Sequence, residues 1–306
     1  MVYIASCLKG LEFIAEKETN GKKIYTGKVL YSKDKKLRSC EYSYELYDYF
    51  TFKNLDEIIE KAKKIKFDIH GSFKVECIRE GEHEFKGADV EYSIGDLIEN
   101  KCDLKNPENV IVVDIKDYYC FIGKNLTKYK RGYRIRTSTD CINEEVAFAL
   151  LDIAEFKEKD FLFDPRCKDG TLLLEAFELN GKNLFGMDED VKNASINTRI
   201  KKANIKLEQG NFDWIDTKFK PKYFDKIITK LASTSKKKSE RLVNELLNEF
   251  LKQAQIVLKK KGVIVVLLQK DELFKEALKN YKFKILDEYE ILWGVKYKIL
   301  KLGFSK

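Results

Sequence analysis

Long apolar runs are missing: no stretch approaches the roughly 18 consecutive apolar residues needed to cross a bilayer, so no membrane span is expected. The start, MVYIASCLKG, lacks the basic stretch and apolar core of a signal peptide, and the chain reads as soluble and cytoplasmic. Histidine is nearly absent, with only His70 and His83, which disfavours a His-based metal centre. The seven cysteines (Cys7, Cys40, Cys77, Cys102, Cys120, Cys141, Cys167) are odd in number and scattered, with no C-x-x-C pair. That pattern excludes a disulfide framework and a zinc site, so buried free thiols and no metal are expected. Methionine is scarce, at 2 residues, while Lys and Glu abound, a bias that fits a thermophile's chain. Internal repeats and low-complexity stretches are also lacking.

What is present suffices for more than one packed core. A chain of 306 residues is too long for one ordinary core, and 44% hydrophobic against 35% charged residues can bury two. The formal charge of +8 favours a nucleic-acid partner only slightly, since lysine-rich chains often carry such an excess as a solvated face.

The N-terminal segment offers short β-like runs, VYIASC, GLEFIAEKE, KIYTGKVLYS and CEYSYELYDYF, then the helical LDEIIEKAKKI. In that helix Leu55, Ile58, Ile59, Ala62 and Ile65 share one face, and a small α+β module over 1–66 follows. From Ser72 the order is strand (FKVECIREGEHEF, ending in a polar turn), helix (VEYSIGDLIENK) and two strands (VIVVDIK, YYCFIGKNL), a second module over 67–125. The basic and aromatic TKYKRGYRIRTST has no core face and reads as a linker, 126–142. Beyond it, over 143–306, a helix opens a regular alternation of strands and helices that ends in two strands, which specifies βαβ units and a mostly parallel, doubly wound sheet. Ligands on such sheets sit at the carboxyl ends of the strands near the topological switch point.

The run FKVECIREGEHEFKGADVEYSIGDLI followed by DLKNPENVIVVDI resembles the THUMP domain, an RNA-binding module of tRNA-modifying enzymes. Upstream, CLKGLEFIAEKE is similar to the ferredoxin-like module that precedes THUMP in the guanine-N2 methyltransferases, and KRGYRIR to their linker. The resemblance spans essentially the whole chain. It implies a ferredoxin-like plus THUMP α+β half, then a Rossmann-like methyltransferase domain that uses S-adenosyl-L-methionine (AdoMet), with tRNA or another structured RNA as partner. The residues agree in part. Arg79, His83, Phe85 and Lys86 sit in one turn, and Lys130, Arg131, Tyr133, Arg134 and Arg136 interleave cations with rings, as phosphates and unpaired bases require.

In the last domain FLFDPRCKDGTLLLEA stands where the family shows D-P-x-C-G-S-G-T and an acid on the next helix. Asp164, Pro165, Cys167, Gly170, Thr171 and Glu175 match, while Lys168 and Asp169 replace Gly and Ser and are expected to crowd the approach to the cofactor. Asp188 stands where an acid accepts the ribose hydroxyls, and Asn211, followed by Phe212, where the family has an Asp beside the adenine. After the strand FDKIITK, Lys230, Leu231, Ala232 and Ser233 replace N-P-P-Y, whose Asn and backbone accept from the target amine and whose ring stacks on the flipped base. A lysine ammonium has only donors and Ser233 cannot stack. Lys230 as a base and Cys167 as a nucleophile both lack an orienting partner in the sequence. The leading reading is therefore an RNA-binding family member with impaired methyl transfer, alone or in a complex with a protein partner. The alternatives are an active guanine-N2 methyltransferase with a diverged or partner-completed site, and a different activity on the same scaffold.

Overall fold

The computed structural model describes residues 1–126, 132–232 and 239–305. They form two compact units, one of Met1–Cys7 with Ala15–Lys128 and one of Leu8–Ile14 with Tyr129–Lys306. None of the helices among the described residues is long and apolar enough to cross a membrane.

The first unit is built on β1 (Tyr3–Ser6), α1 (Glu12–Thr19, which begins in the other unit), β2 (Lys22–Tyr25), β3 (Lys28–Tyr31), β4 (Tyr42–Thr51), α2 (Leu55–Ala62), β5 (Phe73–Glu80), α3 (Gly87–Gly95), β6 (Asn109–Lys116) and β7 (Tyr119–Asn125). GLEFIAEKE is thus helical rather than β-like, with Ile14 and Ala15 fully buried. KIYTGKVLYS is a hairpin rather than one run, because Gly27, at φ +73°, turns β2 back onto β3.

All seven strands form one sheet, in the order β2-β3-β1-β4-β7-β6-β5, so the two N-terminal modules share a single hydrogen-bonded ladder. On one face α2 and α3 set Ile58, Ala62, Val90 and Ile94 against Ile111, Val113, Ile115 and Ile122. Helix α2 starts on Asn54, whose side chain accepts from the Glu57 N–H, and its apolar face completes the core of the second module rather than the first. On the other face the sheet coils over itself. Three strands separate β3 from β6, yet the Lys28 ammonium of β3 donates to the Asp114 carboxylate of β6, and the Tyr25 and Tyr119 rings lie 4.3 Å apart. Ile4, Tyr44, Val112 and Phe121 are sealed beneath that fold.

The second unit carries α4 (Glu144–Ile153), β8 (Phe161–Asp164), α5 (Thr171–Glu178), β9 (Asn183–Asp188), α6 (Lys192–Lys201), β10 (Ile205–Gln209), α7 (Ile215–Lys218), β11 (Phe224–Lys230), α8 (Glu240–Val257), β12 (Leu258–Leu268), α9 (Glu272–Leu278), β13 (Phe283–Trp293) and β14 (Val295–Phe304). Its sheet runs β10-β9-β8-β11-β12-β14-β13, parallel through β12 and antiparallel in the last two strands. This is the Rossmann-like doubly wound order. The winding reverses between β8 and β11, which places the candidate site beyond Asp164 and Lys230.

Candidate functional site

Beyond β8 the chain makes a tight loop into α5. Gly170, at φ +81°, closes it by donating to the Cys167 carbonyl at 2.7 Å. Lys168 also adopts a left-handed φ, +52°, a conformation natural to the glycine that stands there in D-P-x-C-G-S-G-T. Its backbone N–H donates to Asp188 Oδ2 at 3.0 Å and its Nζ to Oδ1 at 3.3 Å, while the Asp190 N–H donates to Oδ1 at 3.3 Å. The Asp188 side chain is only 4% exposed, so the acid at the end of β9 lies beneath the lysine.

Asp169, the second replaced residue, turns inward instead of crowding the loop. One carboxylate oxygen takes the Thr171 hydroxyl at 2.8 Å and the other takes Arg134 Nε at 3.2 Å. Thr171 and Glu175, expected at the cofactor, are likewise buried in the domain, where Glu175 accepts from the Tyr133 hydroxyl. Glu175 thus lies on the core and connector side of α5, whereas Thr171 also borders a hollow beside the loop.

An open cleft of about 600 Å³ lies across the strand ends, lined by Pro165, Arg166, Lys168, Asp188, Glu189, Gly210, Asn211 and Phe212 from the end of β9 and the loops after β8, β9 and β10, and by Leu231, Ala232, Val243, Leu246 and Leu247 from just beyond β11 and from α8. Asp164 and Thr171 open instead onto a smaller hollow that the cleft meets at Arg166 and Lys168. Burial pushes the Asp164 carboxyl up from its ordinary 3.8 to about 7, against the pull of its hydrogen bond from the Arg166 N–H. The folded state then holds one more proton than the unfolded state between those values, so stability is expected to fall as pH rises through that window. Urea unfolding at about pH 5 and about pH 7.5 checks this: wild type loses stability across the interval, and an Asp164→Asn variant shows none of that loss.

Lys230, at the end of β11, does not project alone. Its Nζ lies 2.6 Å from Asp140 Oδ1, and the Trp293 and Tyr297 rings sit 5.0 and 5.2 Å away. Arg166 donates to the other Asp140 oxygen at 2.7 Å and to the Lys230 carbonyl at 3.2 Å. Burial works to raise the Asp140 carboxyl, but these two cations hold it below its usual range. Leu231 is buried in the core, Ala232 lines the cleft, and Ser233 lies outside the described residues. Cys167 is buried, which pushes its thiol well above the usual range and removes it as a nucleophile.

Of the residues expected to meet RNA, Arg79 donates to His83 Nδ1 at 3.1 Å, and His83 Nε2–H donates to the Asp117 carbonyl at 2.7 Å, the tautomer that a donor-only and an acceptor-only neighbour require. Phe85 packs half-buried on the core beside His83, and Lys86 is exposed. Tyr133 corrects the reading of a linker without a core face: it is 3% exposed and bonded to Glu175, so it cannot stack on a base. Arg134 is held by Asp169, Glu144 and the Cys141 sulfur, so it too is structural. Arg136 keeps an exposed side chain, while its backbone is clasped by Asn197. Lys130 and Arg131 lie outside the described residues.

A sequence-family profile described as "RMKL-like, methyltransferase domain" matches residues 131–299, more than half of the chain, and one for the THUMP domain matches 52–124. The chain belongs to the RMKL-like methyltransferase-domain family. It joins that domain to a THUMP domain. Over 299 residues this family member is 25% identical to the tRNA (guanine(6)-N2)-methyltransferase of Methanocaldococcus jannaschii, with 78% of each chain covered. Over 224 residues it is 27% identical to the enzyme of the same name from Thermus thermophilus, covering 68% of this chain and 65% of that one. The crystal structure of TrmN from Thermus thermophilus shares the fold with a TM-score of 0.80 at 22% identity, over 99% of this chain and 100% of that one.

Asp140, Arg166, Asn197, Trp293 and Tyr297 escaped the sequence reading. Only Arg166, inside the D-P-x-C loop, carried a local signal.

Proposed function

We propose that this family member binds structured RNA, of the tRNA class named for its relatives, and that it does not methylate an exocyclic guanine nitrogen by the family's mechanism. The observation that carries the proposal is the state of Lys230. At the strand end where the family presents an acceptor to the target amine stands an ammonium locked between Asp140 and two aromatic rings. The THUMP domain and the exposed cations Arg79, Lys86 and Arg136 support RNA contact.

AdoMet fits this cleft only in part. Gly210, Asn211 and Phe212 suit the adenine end, but the ribose acceptor Asp188 is already engaged by Lys168. A second reading, an active AdoMet-dependent guanine-N2 methyltransferase, is supported by the Gly210, Asn211 and Phe212 lining of the cleft and by the relatives' names. Labelled AdoMet incubated with the protein and unmodified tRNA separates the two. The proposal expects no methyl incorporation, together with tRNA binding by fluorescence anisotropy at moderate salt. Incorporation establishes the second reading, and absent tRNA binding sinks the first.

A further inference from the structure

We propose that the cleft takes an adenine nucleotide bearing a phosphate on its ribose, with the Lys168 ammonium as the group that meets it. The inference rests on reading the cleft as a nucleoside site and goes beyond that reading to the ligand's charge. In doubly wound nucleotide-binding sheets an acid near the end of the second strand receives the free ribose hydroxyls, whereas a basic side chain at the same place accommodates a ribose phosphate. This chain carries both groups, and their stacking order decides which one a ligand meets. The Asp188 side chain is 4% exposed and its oxygens already take Lys168 N, Lys168 Nζ and Asp190 N. The Lys168 side chain is 26% exposed and lines the cleft above that acid.

What the ribose position offers first is therefore an ammonium with protons to spare, its partner acid buried beneath it and already bonded. A phosphate oxygen is the strong partner for such a group, through charge-assisted hydrogen bonds. The sulfonium of AdoMet, a cation, gains nothing from it. Arg166, itself held by Asp140, adds a second cation to the lining, and among the described residues the other acid lining the cleft, Glu189, is exposed. Gly210, Asn211 and Phe212 leave a place for the base.

The probes are adenosine 2′,5′-bisphosphate and adenosine 3′,5′-bisphosphate, compared with S-adenosylhomocysteine by titration calorimetry on the full chain. Wild type is expected to bind one bisphosphate at least about tenfold tighter than S-adenosylhomocysteine, and Lys168→Gln to abolish that preference. Lys168→Gly, whose backbone suits the left-handed φ and so serves as a folding control, is expected to reverse the preference. An unchanged preference in Lys168→Gln, or tighter binding of S-adenosylhomocysteine by wild type, overturns the inference. So does failure of every probe to bind wild type, which leaves the RNA reading standing on its own anisotropy test. Methyl incorporation would overturn that earlier reading without altering the probe ratio.

Discussion

Replacing Lys28 by methionine is expected to destabilise the N-terminal unit by about 3–5 kcal/mol, the cost of leaving a buried charge without its partner. The Lys28 and Asp114 side chains are 5% and 2% exposed, and the ammonium also donates to Ser6 Oγ at 2.7 Å. Once the lysine is gone, the Tyr44 hydroxyl, 3.2 Å away, is the remaining donor seen at Asp114 Oδ2. The double variant Lys28→Met/Asp114→Leu removes both charges and is expected to recover most of the loss, since well-packed apolar groups often replace a buried pair at no net cost. Urea unfolding of wild type, single and double variants measures the cycle. A single variant within about 1 kcal/mol of wild type would show that water reaches the pair, contrary to its burial.

The pair matters beyond its own energy because of where it lies. Only strands that fold back over their own sheet bring β3 to β6, so Lys28 and Asp114 join the first hairpin to the THUMP strands. No sequence rule announces this. A lysine after a turn glycine and an acid late in a Val/Ile strand each read as ordinary surface residues until the coiling of the sheet is known.

The same division runs through the whole chain. The alternation of strands and helices from β8 to β14 was legible because each element carries its own periodicity. The location of the cleft followed from the winding order. Directions of side chains did not follow. Tyr133 in a basic run reads identically whether its ring meets a base or the core, and only its bond to Glu175 decides. Asp169 reads as bulk beside a cofactor until Arg134 is seen to hold it inward. GLEFIAEKE offers β-like apolar content in its first residues, whereas Leu11 is buried just ahead of α1 and Ile14 and Ala15 are buried within it, on a helix with modest amphipathicity. Lys168 and Lys230 were seen as losses to the family's chemistry. That each is matched to a carboxylate, Asp188 and Asp140, is information of tertiary structure alone.

Asp169→Ala is expected to cost about 3–5 kcal/mol and to free the connector ahead of α4, because it strips a buried charged network of its centre. The Asp169 side chain is 1% exposed. It accepts from the Thr171 hydroxyl and backbone N–H at the start of α5, and from Arg134, while its own carbonyl takes Asn197 Nδ2 at 2.9 Å. Alanine would leave the Thr171 donors unpaired at about 1–3 kcal/mol each and Arg134 with only Glu144 and Cys141. Asp169→Asn keeps an acceptor for Thr171 and should cost only part of this. Limited proteolysis supplies the local readout: new cleavage within residues 132–140 is expected in the alanine variant before global unfolding, with wild type resistant there. Global destabilisation without earlier cleavage would mean that Asp169 supports α5 alone. The position is held by serine in D-P-x-C-G-S-G-T, so early cleavage would indicate that in this chain a residue of the loop between β8 and α5 has become the clamp of the connector.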